Sequence, residues 1–273
     1  MNQHLCVTCG TQYPASDAPP AHCPICADDR QYIGPGGQQW TTLAALRGDH
    51  HNTFSEVGPG ITAIRTAPEF AIAQHAQLIQ TPAGNVLWDC VSLLDDATVS
   101  EVKARGGLAA IAISHPHFYS SMGDWSQAFG GVPILLHASN RPWVMRPDDA
   151  IQYWEGETRD VLPGVTLIRC GGHFPGSAVL HWAAGAEGRG ALFTGDTIMV
   201  VPDRRYVSFM YSYPNLIPLD EASVRAIVAA VAPYAFDRIY GSWPGRVVQS
   251  SGSQAVRDSA TRYIAHLRGE AQS

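Results

Sequence analysis

Leu108-Ala-Ala-Ile-Ala-Ile113-Ser114-His115-Pro116-His117-Phe118-Tyr119-Ser120 is the stretch that decides how this chain is read. Its first half is short, wholly apolar and preceded by Gly106-Gly107. A strand buried on both faces has that composition, because neither face meets water. Its second half breaks into polar punctuation and carries two imidazoles. His-x-His on an extended turn sets both rings on one side. In layered α/β folds the loops at strand ends hold exposed groups at fixed separations, so chemistry gathers there.

The same pattern recurs downstream. Val165–Ile168 runs into Cys170-Gly171-Gly172-His173, Ala191–Phe193 into Thr194-Gly195-Asp196, and Phe236–Tyr240 into Gly241-Ser242-Trp243. Three of these four loops, counting the first, supply His or Asp, which together make a metal shell. Other segments fit an alternation of strands and helices. A strand is expected from Phe70, then a turn at Thr81–Asn85 and a second strand at Val86–Cys90. Asp95–Arg105 reads as a helix ending at Gly106. Pro133–Leu136 and Ala178–Trp182 are further apolar runs. Val224, Ile227, Val228 and Val231 recur at helical spacing after Asp220, a good N-cap, and Val256, Ala260, Tyr263, Ile264 and Leu267 do so in a last helix. The expected class is α/β.

His115-x-His117, Gly172-His173-x-x-Gly176-Ser177 and Thr194-Gly195-Asp196-Thr197 resemble, in that order, the metallo-β-lactamase superfamily. Gly84-Asn85-Val86-Leu87-Trp88-Asp89 is similar to that family's early strand. The resemblance covers roughly residues 60 to 245 and implies an αββα sandwich, a site on one edge between two sheets, and usually a hydrolase. The departures are specific. The family's His-x-His-x-Asp-His motif builds two metal sites. Here Tyr119 stands at the Asp position and Ser120 at the second His, and the family's late Gly-His is replaced around Ser242-Trp243. These losses fall on the second metal site. The first keeps His115, His117 and His173, with Asp196 as fourth ligand or neighbour.

The first forty residues read as a separate module. Cys6-x-x-Cys9 and Cys23-x-x-Cys26 are separated by 13 residues and account for four of the six cysteines. Two such knuckles hold four thiolates around one tetrahedral ion. The segment has few aliphatic residues, so a metal would supply its folding energy. Two disulfides or four free thiols are the alternative. The module resembles a short zinc ribbon or a rubredoxin-like domain, and spacing leaves zinc and iron both open. Arg30 faces Asp17, Asp28 and Asp29 in charge count, which argues against a nucleic-acid reader. His22 is expected to be an exposed bystander, and Gly34-Pro35-Gly36-Gly37 a hinge. The expected domains are therefore 1–38, a metal-binding ribbon, and 39–273, the metallo-β-lactamase-like domain.

Composition bounds the rest. Of 273 residues, 45% are apolar and 15% charged, which suits a globular fold. A net charge of −6 repels nucleic acid and anionic lipid. No apolar run approaches the roughly 20 residues of a membrane helix. Met-Asn-Gln-His-Leu-Cys has no basic start and no apolar stretch, so a cytoplasmic chain without a signal peptide is expected.

The resulting expectation is a metal-dependent hydrolase with a mononuclear site, zinc before iron, acting on an ester, lactone, thioester or amide. His115, His117, His173 and Asp196 hold the ion. Asp196 also moves the water's proton, and Tyr119 donates to an oxyanion. Trp243, Ser120 and Phe118 are the candidate substrate contacts, with Trp125 and Trp143 as further walls; each aromatic on its own also suits a packed core. The expected partner is a small-molecule substrate, with no nucleic acid and no membrane; a homo-oligomer stays open. His137 reads as a core or supporting residue. His50, His51, His75, His181 and His266 read as structural or exposed, and Cys90 and Cys170 as small buried hydrophobes. Two rivals remain. One is an iron oxygenase of the persulfide-dioxygenase type, using His115, His173 and Asp196. The other is a degenerate member that binds without catalysis.

Overall fold

Turn chemistry sets the first sheet. Pro59-Gly60 and Thr81-Pro82-Ala83-Gly84 are tight reversals, and in the second the Thr81 hydroxyl donates to the Gly84 carbonyl at 2.7 Å. A computed structural model describes residues 1–270. The chain divides into two compact units, Met1–Trp154 and the part from Glu155 onward.

In the first unit, β1 (Asn2–Cys6), β2 (Gln12–Ser16) and β3 (Trp40–Thr42) form a small antiparallel sheet in the order β2-β1-β3. The short α1 (Pro24–Ala27) carries the second knuckle, and α2 (Leu43–Asp49) follows β3. A seven-stranded sheet is then built from β4 (His51–Gly58), β5 (Ile61–Ala67), β6 (His75–Thr81), β7 (Gly84–Trp88), β8 (Ala110–Ala112), β9 (Ile134–His137) and β10 (Ile151–Trp154). Strands β4 to β7 pair antiparallel; β7 to β10 pair parallel. The parallel pairs need crossovers, supplied by α3 (Asp96–Ala104), α4 (Met122–Ala128) and, between β9 and β10, a 3-10 segment at Ala138–Trp143. Asp95 caps α3 by accepting from the Thr98 N–H at 2.7 Å.

In the second unit, β11 (Thr158–Leu162), β12 (Val165–Arg169), β13 (Ala178–Trp182) and, after the turn α5 (Gly185–Gly188), β14 (Ala191–Phe193) belong to a six-stranded sheet. Two small ribbons follow: β15 (Met199–Val200) with β16 (Val207–Ser208), and β17 (Met210–Ser212) with β18 (Ile217–Pro218). Helix α6 (Glu221–Val231), β19 (Arg238–Tyr240), β20 (Val247–Val248) and α7 (Gly252–Leu267) complete the unit. The sheet order is β11-β12-β13-β14-β19-β20, parallel only at β14-β19. Val224, Ile227 and Val231 of α6 are buried in a core with Ile168, Val179, Leu192 and Ile239. Burial of each such side chain contributes about 1.5–3 kcal/mol.

Two expectations are corrected here. No strand starts at Phe70: Ala71 and Ala73 sit at φ 54° and 58°, so the chain turns there and extends only from His75. The boundary at 38 falls inside a sheet, because β3 lies beyond it and pairs with β1. The ribbon also shares its core with Trp143 and Met145 of the same unit. No helix among the described residues is long and apolar enough to cross a membrane.

Candidate metal centres

All four knuckle cysteines are buried, and none forms a disulfide. Cys6 and Cys26 sulfurs lie 3.6 Å apart, and Cys9 and Cys23 sulfurs 3.7 Å apart. Thiolates bound at about 2.3 Å to one tetrahedral ion would be about 3.8 Å apart, whereas bonded sulfurs would be about 2.05 Å apart. The donor set therefore fits a single metal ion. Gln38 ties the knuckles together: its amide nitrogen donates to Cys6 Sγ at 3.3 Å and its oxygen accepts from the Cys23 N–H at 3.1 Å. Hydrogen bonds among the thiols, then burial, push Cys9 and Cys26 above the ordinary thiol range. Neighbouring thiols pull Cys6 and Cys23 below it. Four thiolates packed this closely need a cation to share. His22 is exposed, as expected.

The first unit also presents His115 and His117, both buried, on the loop after β8. Asp89, at the end of β7, fixes that loop. Its Oδ1 accepts from both the Ser114 N–H and the Ser114 hydroxyl, each at 2.8 Å. Ser114 Oγ lies 2.8 Å from His115 Nδ1. A hydroxyl has one hydrogen, and here it goes to Asp89. Ser114 therefore accepts from His115 Nδ1–H, and Nε2 carries the lone pair that a metal needs. Phe118 packs edge-on against the His115 ring at 4.4 Å, and the two imidazoles stand at 77° with centroids 5.0 Å apart. Arg30 holds the Asp28 carboxyl below the usual range.

The second unit presents His173 and Asp196, also buried. Gly172 sits at φ +75°, and a Cβ there would come within 2.9 Å of Ile227 and 3.0 Å of Leu219. The positive φ favours glycine at this turn before His173. Ser177 closes the loop: its carbonyl accepts from the Cys170 and Gly171 N–H groups, and its hydroxyl accepts from the Phe174 N–H. His173 Nδ1 is 3.2 Å from the Met210 carbonyl, which can only accept, so Nε2 again carries the lone pair. That Nε2 lies 3.6 Å from Asp196 Oδ2. The Tyr213 hydroxyl donates to the Asp196 carbonyl at 2.9 Å, and burial, with the Asp196 charge, keeps that phenol protonated.

The candidate ligands of each unit, His115 and His117 in the first and His173 and Asp196 in the second, are all buried. The expected substrate contacts fare differently. Phe118 is fully buried against His115. Ser120 is buried too, its hydroxyl donating to the Cys90 carbonyl at 3.2 Å and accepting from Gln74 at 3.3 Å. Both make these contacts inside the first unit. Trp125 is also buried, donating to the Val91 carbonyl at 2.9 Å. Tyr119, 1% exposed, lines a cavity of about 10 Å³ with Thr11, Gln12, Met145 and Arg146, room for one water. Trp243 is half-buried on the turn after β19. Sequence reasoning gave Asp89 and Ser114 no role. The available signal was an acid closing an apolar strand and a hydroxyl preceding a candidate ligand.

Mixed α/β sheets, strand-end His and Asp donors and a four-cysteine cluster define a metallo-β-lactamase fold with an N-terminal metal-binding module. Solved metallo-β-lactamases share that fold. VMB-1 superposes with a TM-score of 0.57 at 9% identity, over 80% of this chain and 98% of its own. SMB-1, in complex with mercaptoacetic acid, gives 0.54 at 16%, over 80% and 95%. FIM-1 from Pseudomonas aeruginosa, in its mono-zinc form, gives 0.53 at 16%, over 77% and 96%. Uncharacterized protein YmaE of Bacillus subtilis (strain 168) is 48% identical over 272 residues, 99% of this chain and 98% of its own, and the chain belongs to its family. No family model matches the chain.

Proposed function

We propose that the protein is a metal-dependent hydrolase in which His115, His117, His173 and Asp196 share one ion, zinc before iron, and act on a small carbonyl substrate such as an ester, lactone, thioester or amide. The observation that carries this reading is the set of four buried donors. Two of the imidazoles have their Nδ1 nitrogens occupied by Ser114 and the Met210 carbonyl, which leaves the Nε2 lone pairs for a ligand role. A single ion is favoured because Tyr119 and Ser120 stand where the resemblance places ligands of a second one. FIM-1, of the same fold, has a mono-zinc form.

When bound, such an ion supplies Lewis-acid polarisation of the carbonyl and lowers the pKa of an attacking water. The chain's own residues do the rest. Asp196 accepts that water's proton at a carboxylate oxygen and returns it to the leaving group. Ser114 and the Met210 carbonyl hold the imidazole planes, so that the ligand nitrogens need no reorientation as charge develops. Trp243 offers an apolar edge to the substrate. One ion stabilises less charge than a pair, which favours carbonyl over phosphodiester substrates.

The test is turnover of an ester, lactone, thioester and amide panel by the as-purified protein, alongside element-resolved metal analysis. Hydrolysis that His173→Ala abolishes is expected. Iron at the His/Asp centre with oxygen uptake would instead establish the oxygenase, and a silent panel the non-catalytic binder.

A further inference from the structure

Gln12, the residue leaving the first knuckle, is 2% exposed and meets the metal-binding loop on several sides. Its backbone N–H donates to the Ser120 carbonyl at 3.0 Å. Its side-chain nitrogen donates to Asp124 Oδ2 at 2.7 Å, and its side-chain oxygen accepts from Arg146. Arg146 Nη1 also donates to Asp124 Oδ1 at 2.6 Å, which closes a part-buried three-residue network. Asp124 lies in the first turn of α4, the helix that follows the His-x-His loop directly. Two residues earlier, the Ser92 hydroxyl donates to the Gly10 carbonyl at 2.8 Å, and a Cβ on Gly10 would fall 2.2 Å from that hydroxyl oxygen. The knuckle is thus seated on the segments that follow β7 and β8.

Ser120 is the point that needs holding. It sits at φ +46°, a left-handed conformation that is unfavourable for an L-residue. Between His115 and Ser120 the chain is a tight turn: the Phe118 and Tyr119 N–H groups donate to the His115 and Pro116 carbonyls at 3.2 and 3.3 Å. A turn so closed transmits a shift of Ser120 to His117, three residues back.

We propose that Gln12 is a positioning residue for the His115–His117 loop, and that the four-cysteine centre, by fixing Gln12, sets the metal affinity of the His/Asp centre. The proposal rests on reading that second centre as a metal site. Partners that orient ligand-bearing groups change metal affinity by 10–100-fold when removed.

Cobalt(II) titration tests it, since thiolate-to-metal absorption reports the cysteine centre and the ligand-field bands of a nitrogen–oxygen site report the other. Gln12→Ala, and Gln12→Met as an uncharged variant of similar length that fills the same space without the hydrogen bonds, are compared with wild type. Both are expected to retain full thiolate absorption and to bind cobalt about tenfold more weakly at the His/Asp centre. Wild-type affinity in both variants overturns the proposal. Loss of the thiolate band in both overturns it too, because Gln12 would then serve the module alone. If wild type takes up cobalt only at the cysteines, the metal-centre reading itself fails and the proposal with it.

Discussion

Ser114 has one hydrogen to give, and giving it to Asp89 decides the tautomer of His115. Without the hydroxyl, the imidazole is free to place its proton on Nε2, the nitrogen that would face an ion. Ser114→Ala should therefore weaken metal binding at the His/Asp centre by about 10–100-fold, with the cysteine centre unaffected, as read by competition with a chromophoric chelator. Unchanged affinity would mean that His115 is oriented by packing on Phe118 instead. At this scale the sequence was legible where residue type carries chemistry by itself: His115, His117, His173 and Asp196 stood out by type and strand-end context. Ser114 and Asp89 were not, because a serine before a histidine has no meaning until the fold brings a carboxylate 2.8 Å from it. The inward contacts of Phe118 and Ser120 were not legible for a related reason. A turn's inward and outward residues depend on dihedrals, and the left-handed Ser120 turns its hydroxyl toward Cys90.

Strands surrounded by others announced themselves. Ala178–Trp182 and Ala191–Phe193 match their expected strands residue for residue, since burial on both faces keeps all but His181 apolar. The edge strand β4 gave no such signal: His51–Gly58 alternates exposed and half-buried positions and contains no apolar run. Strand β13 also carries a histidine with a measurable consequence. His181 Nε2 lies 2.8 Å from the Ala235 carbonyl, and burial pushes its pKa below the ordinary 6.5, against the opposing pull of that hydrogen bond. The folded state thus takes up the proton less readily than the unfolded chain. His181 costs no stability above about pH 6.5, and stability falls as pH drops below that value toward the folded pKa. Melting temperatures of wild type and His181→Gln, compared between about pH 7.5 and pH 5.5, should show the steeper loss in wild type. Parallel slopes would remove His181 as the cause.

For the molecule as a whole, the question is what keeps residues 2–42 folded. The apolar groups packed around the four cysteines are few: Tyr13 and Ile25, with Trp40, Trp143 and Met145 partly buried. Tyr13 and Trp40 meet edge to face at 4.9 Å. The paired knuckles were legible because their spacing is a chemical constraint. The borrowing of Trp143 and Met145 was not, since it joins positions more than a hundred residues apart. A core of that size does not hold a three-stranded sheet by itself, whereas a structural four-thiolate ion contributes about 10–16 kcal/mol to folding. Two ions per chain are expected in wild type, falling to one in a Cys9→Ser, Cys23→Ser variant, with hydrogen-exchange protection lost across β1 to β3 and retained in β6 to β8. Three ions in wild type would mean that ligands other than Tyr119 and Ser120 rebuild a second metal position at the His/Asp centre. Full protection of β1 to β3 in the metal-free variant would show that protein contacts alone, Gln12 and Ser92 foremost, hold the module in place.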